Sequence, residues 1–154
     1  MINNMININP TLWGPNLWKF MHYLTLSYPE QPSEYDVNKF KNFFMNIGEY
    51  LPCEKCRYNY KDHLQVLPLT ENELSCRDNL ILWLFNLHNI VNKHIGKKEF
   101  TIKEFNDVYV NNINANMHTT TNKNNILSNI ILFIILIIIV VGLVLYKKCK
   151  KYIN

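Results

Sequence analysis

Cys53 and Cys56 are separated only by Glu54 and Lys55, and a Cys-x-x-Cys pair has three readings. It can open and close as a disulfide, because two intervening residues at a helix start keep the sulfurs within exchange distance. It can be half of a zinc site, which then needs two more ligands; His63 and Cys76 follow at workable distances. Or it can be incidental. Structural zinc sites usually draw their ligands as two close pairs, and the second pair is missing here. Leu51-Pro52 places the cysteines at a helix N-terminus, where the dipole and free N–H groups stabilise a thiolate, and Lys55 and Arg57 add positive charge. This context favours redox chemistry and leaves zinc open.

The elements that must position the pair all read as helices. Leu12 to Ser27 carries Leu17, Phe20, Met21 and Leu24 at helical spacing, after Trp13 and beside Trp18. Pro29 and Pro32 break it. Ser33 to Asp36 resembles a capping box and opens a second helix with the stripe Val37, Phe40, Phe43, Phe44, Ile47. Gly48 to Pro52 ends it, and a third helix is expected over 53–67. Thr70 to Glu73 is a further capping pattern that predicts a fourth helix over about 72–95, with Leu80, Leu84, Leu87 and Val91 on one face. Gly96 stops it, and Thr101 to Glu104 caps a short fifth helix to about Val110. No strand-like alternation occurs, so the fold class is all-α. A thioredoxin-like fold needs a strand before the motif and βαβ units around it, and neither is present. A helical protein with one redox disulfide then needs another electron acceptor, for which an organic cofactor is the natural candidate.

Three stretches in order, Trp13 to His22, Leu51 to Arg57, and His88 to Asn92 with Gly96-Lys97 after it, resemble the Erv/ALR family of FAD-dependent sulfhydryl oxidases over about residues 12–110. The layout is most similar to the short versions of large DNA viruses. The resemblance implies a four-helix bundle plus a short fifth helix that cradles FAD, and a homodimer. It implies that Cys53 meets the substrate thiol and Cys56 faces the flavin, with O2 as final acceptor and hydrogen peroxide as product. Gly14, Trp18 and His22 would line one side of the cofactor, and His88, Asn89, Val91, Asn92 and Lys97 the other, with Tyr109 a weaker candidate. The substrate would be a protein dithiol, virion proteins among them, or a small thioredoxin-like partner.

The residues themselves carry part of this. His88, Val91 and Asn92 stand at i, i+3 and i+4 and share a helix face, and His22 lies one turn after Trp18. Outside the motifs, Trp18 and Trp83 read as core aromatics and His22 and His88 as structural histidines; His63 and His94 keep that reading. Many family members have a cysteine three residues before the motif histidine, where this chain has Phe85. Cys76 is therefore expected to be free and at least half-buried, and no internal shuttle disulfide is expected. A rival reading is a membrane-tethered, zinc-stabilised interaction module using Cys53, Cys56, His63 and Cys76.

Beyond residue 110 the pattern changes. Residues 111–125 are polar and read as a linker. Ile126 to Tyr146 has no charge, and at about 1.5 Å per residue it spans roughly 30 Å, one bilayer core. A single transmembrane helix is predicted there, followed by the basic tail 147–154. The tail holds four of the 16 Lys and Arg, and without them basic and acidic residues balance at 12 each. A nucleic-acid binder would carry a basic face on its folded domain, and this one shows none. The tail lysines argue for an exoplasmic domain. A span this near the end, with no signal sequence at the start, argues instead for a tail anchor with a cytosolic domain, which is the expectation adopted. Cys149, past the span, is expected to be inert or lipidated.

Overall fold

The computed structural model describes residues 5–113 and 127–139. The chain divides into two units, Met1–Glu104 and Phe105–Asn154. The first holds α1 (Pro10–Leu26), α2 (Glu34–Asn46), a 3-10 turn (Ile47–Tyr50), α3 (Glu54–Val66) and α4 (Arg77–His94). The short α5 (Ile102–Phe105) runs across the boundary into a π-helical turn (Asn106–Val110). Residues 127–139 are helical. No strand occurs among the described residues.

Local chemistry sets the helix ends. The Asn9 side chain accepts from the Thr11 N–H at 3.0 Å, and Pro10 takes the first helical position, where its missing N–H costs nothing. The capping box of α2 forms as the sequence implies: the Ser33 N–H donates to Asp36 at 3.0 Å, and the Asp36 N–H donates back to the Ser33 hydroxyl at 3.3 Å. Gly96, at φ 69°, supplies the left-handed residue that ends α4.

The fourth helix begins later than its capping pattern predicts. The Thr70 N–H does donate to Glu73 at 2.9 Å, but residues 71–74 form a closed turn, and α4 starts at Arg77 with Cys76 as its N-cap. The reason is tertiary. Leu74 is fully buried, its carbonyl accepts from the Tyr28 hydroxyl at 2.8 Å, and Arg77 reaches back to the Tyr28 carbonyl and to Glu30. Continuing the helix through Leu74 would commit that carbonyl to an intrahelical bond.

The core of the first unit gathers Met21, Tyr28, Phe40, Phe44, Leu74, Leu80, Trp83, Leu84 and Leu87. α4 runs through its middle, packing against α1 and α3. Phe44 meets Trp83 edge to face at 5.2 Å, a favoured aromatic geometry. Gly48 is where the 3-10 turn comes closest to α3: a Cβ there would stand 2.5 Å from the Tyr60 ring. The Tyr60 hydroxyl is fixed to the Phe44 carbonyl at 2.8 Å, so that ring cannot swing away cheaply.

Among the described residues no helix is long and apolar enough to cross a membrane. The anticipated span covers 126–146, and residue 126 and residues 140–146 lie outside the described residues. So do the linker beyond residue 113 and the basic tail with Cys149.

Candidate active site

The cysteine pair sits where the sequence places it, at the first turn of α3. Cys53 and Cys56 are joined as a disulfide with Cα atoms 5.1 Å apart, and both are half-buried. Cys53 is the N-cap, and its sulfur accepts from the Cys56 N–H at 3.2 Å. That bond points a helix-end donor at a sulfur that can carry charge once the pair is reduced. Arg57 donates to the Leu51 carbonyl at 2.7 Å, bracing the approach to the helix. The zinc reading fails here. The two sulfurs are bonded to each other, and among the described residues no group of three or more His, Cys, Asp or Glu could hold a metal ion. His63 instead faces His94, and Cys76 is free and half-buried, as expected.

A second cluster forms between α1 and α4. Trp18 stacks on His88 with centroids 4.0 Å apart and planes within 4°. His22 lies beneath, its Nε2 2.9 Å from His88 Nδ1, so one ring donates to the bare nitrogen of the other. Burial, and then the neighbouring His88 ring, holds the His22 pKa down at about 3. Burial, and then the Lys97 charge, holds that of His88 at about 4. Both imidazoles are therefore neutral at physiological pH.

Asn92 is buried and Val91 half-buried on the His88 face of α4, and the Lys97 N–H donates to the Asn92 carbonyl at 2.8 Å. Gly14 is half-buried, and a Cβ there would meet only open space. Asn89 bonds the backbone of Phe100. Its carboxamide donates to the Phe100 carbonyl at 2.9 Å and accepts from the Phe100 N–H at 2.7 Å, clamping the return segment after Gly96 alongside α4. That clamp sets the Phe100 ring 5.3 Å from His88. Sequence reasoning missed Phe100; the stop at Gly96, which sends the chain back along α4, was the available clue. Tyr109 belongs to the second unit, where its ring lies 5.1 Å from Phe105.

Residues 15–110 match the model of the Erv1 / Alr family. The chain belongs to that family. A probable FAD-linked sulfhydryl oxidase of Acanthamoeba polyphaga mimivirus is 44% identical over 97 residues, 63% of this chain and 68% of the relative. An FAD-linked sulfhydryl oxidase of African swine fever virus is 30% identical over 101 residues, 66% of this chain and 82% of its own length. Among solved structures, the yeast Erv1 core superposes with a TM-score of 0.60 at 21% identity, covering 71% of this chain and 90% of that one. The FAD binding domain of Erv1 from Saccharomyces cerevisiae does so with a TM-score of 0.60 at 22% identity, covering 67% and 95%. These structures share the Erv1/Alr helical fold with this chain.

Proposed function

We propose that the chain is an FAD-linked sulfhydryl oxidase that makes disulfides in protein substrates. The observation that carries this reading is the Cys53–Cys56 bridge at the head of α3, in the same unit as the Trp18–His22–His88 cluster of an Erv1/Alr family member. The residues present fit FAD. Trp18 and His88 offer flat faces, His22 and His88 are neutral donors or acceptors, Asn92 adds a buried amide, and the Lys97 cation stands near His88. Gly14 leaves room beside them. Such a set suits a planar ring system that carries phosphates.

A substrate thiolate attacks the Cys53 sulfur, the Cys53–Cys56 bond breaks, and Cys56 leaves as a thiolate. A second substrate thiol then attacks the mixed disulfide, so the substrate gains one disulfide and the pair holds two electrons as a dithiol. The Cys56 N–H aimed at Cys53 lowers the energy of the Cys53 thiolate as it departs in this second exchange. Bound FAD supplies the two-electron acceptor for Cys56, with O2 as final oxidant and hydrogen peroxide as product. Trp18, His22 and His88 hold and orient the ring system, and the neutral histidines keep positive charge from competing with Lys97.

The reading extends to the setting. Residues 126–146 anchor the enzyme in a membrane with its domain on the cytosolic face, two copies pair, and proteins of a virion, or a small thioredoxin-like carrier, bring the thiols. The uncharged run at 126–146 supports the anchor, and the viral relatives support the virion setting. Purified full-length chain should be yellow, consume O2 with a dithiol, and lose at least about a hundredfold of its turnover as Cys56→Ser. A colourless protein that leaves O2 untouched would sink the proposal.

A further inference from the structure

The residues before α1 reach across 47 positions of sequence to the redox turn. The Asn7 side-chain oxygen accepts from the Glu54 N–H at 2.8 Å. The next residue, Ile8, donates its N–H to the Pro52 carbonyl at 2.7 Å, and its own carbonyl accepts from the Trp13 indole at 3.1 Å. Asn9 then caps α1. The peptide groups on both sides of Cys53 are thus gripped by this arm, while Arg57 holds the Leu51 carbonyl one residue further back.

Glu54 is the first residue of α3, so its N–H is one of the donors that the helix leaves unbonded and that give its N-terminus positive character. With the Asn7 oxygen on it, that donor is spoken for, and a partial negative charge sits beside Cys53. The Cys53 sulfur accepts from the Cys56 N–H. We propose that Asn7 is a positioning residue of the redox centre: it fixes the Pro52–Glu54 turn and sets the partial negative charge of its carboxamide oxygen against the N-terminus of α3 beside Cys53. Cys53 is thereby less acidic than the bare end of α3 would make it. The inference rests on the reading of Cys53–Cys56 as the redox pair, and it concerns the pair itself, upstream of any flavin.

The sign of the effect makes it testable. Asn7→Ala frees the Glu54 N–H and removes the neighbouring oxygen, so the Cys53 thiolate gains stability. Asn7→Asp keeps an acceptor of the same shape and adds a full negative charge, so the thiolate loses stability. A role limited to holding the arm would leave Asn7→Asp like the parent. The other charges near this turn, Glu49, Glu54, Lys55 and Arg57, are the same in all three proteins.

The full-length chain is reduced anaerobically with glutathione. Two glutathione thiols give up two electrons and two hydrogens, the Cys53–Cys56 bond breaks, and glutathione disulfide forms. Alkylation rates of Cys53 are then followed against pH by mass on the peptide that contains it, which separates it from Cys76 and Cys149. The thiolate-to-thiol ratio at a given pH should rise roughly three- to fivefold in Asn7→Ala and fall by a similar factor in Asn7→Asp. At a pH where the thiolate dominates, the glutathione equilibrium should move toward the reduced pair in the first and toward the disulfide in the second. Opposite shifts uphold the assignment. Unchanged ratios, or shifts in one direction for both variants, overturn it, and Asn7→Asp retains the cap should the alanine variant fail to fold. Because the readout is thiol titration, a colourless protein without oxidase turnover refutes the flavin reading and leaves this result standing.

Discussion

Two pairs of histidines join a neighbouring helix to α4, one from α1 and one from α3, and residue type alone does not distinguish them. His22 and His88 are both buried, their nitrogens 2.9 Å apart under the stacked Trp18 ring. His63 and His94 meet edge to face, 3.4 Å between nitrogens, with His63 buried and His94 in solvent. The first pair has no polar solvent to receive a proton and has an aromatic plane fixed over it. The second pair opens to water on one side. The same residue type therefore makes a neutral, flat wall in one place and an ordinary surface contact in the other. What separates them is how many ring faces are covered.

Acid should separate the pairs most strongly. A histidine whose folded pKa lies below its unfolded value near 6.5 contributes stability fully present above 6.5 and lost as pH falls. His22 at about 3 and His88 at about 4 should each take away up to about 1.4 kcal/mol per pH unit below 6.5. Glu73 and Glu104, held down at about 2 chiefly by hydrogen bonds from Thr70 and from Lys98, act in the same direction but begin to lose their contribution only below about 4.5. Melting temperature followed from pH 6.5 to 5 thus reports the histidines. A flat profile in that window would break the comparison; His88→Gln should lower the slope and leave the part carried by His22 and by His63, whose pKa burial also lowers.

Next in size is His88→Ala. It removes a stacked ring and a hydrogen bond, together about 1–3 kcal/mol, so bound flavin should weaken roughly tenfold to a hundredfold. Flavin absorbance per protein across a dilution series measures this. His63→Ala should cost about 1–2 kcal/mol in a denaturant melt, with flavin content unchanged. His94→Ala should move stability by no more than about 0.5 kcal/mol. If either of these last two bleached the protein, the pairs would not be as different as their surroundings imply.

What the sequence made legible is the chemistry that local spacing encodes. The cysteine pair at a helix start, the Ser33–Asp36 box and the shared face of His88, Val91 and Asn92 all depend on residues within one helical turn of each other. What escaped depends on distant partners. The start of α4 is set by Tyr28 and Leu74, 46 residues apart. The Asn89 amide meets the backbone of Phe100, which only the reversal at Gly96 brings near. The His63–His94 contact, 31 residues apart, had no local trace at all.

The contrast in sequence separation between the two halves of the site has a consequence for the order of events as the chain is made. The cysteines are three residues apart, so they can meet as soon as α3 leaves the ribosome. His22 and His88 are 66 apart, and their wall cannot exist until nearly all of α4 has emerged. On the proposed reading, the pair can then exchange with thiols during that interval before the residues that would hold its electron acceptor are assembled. A bridge closed then, by an outside oxidant, would await completion of the wall.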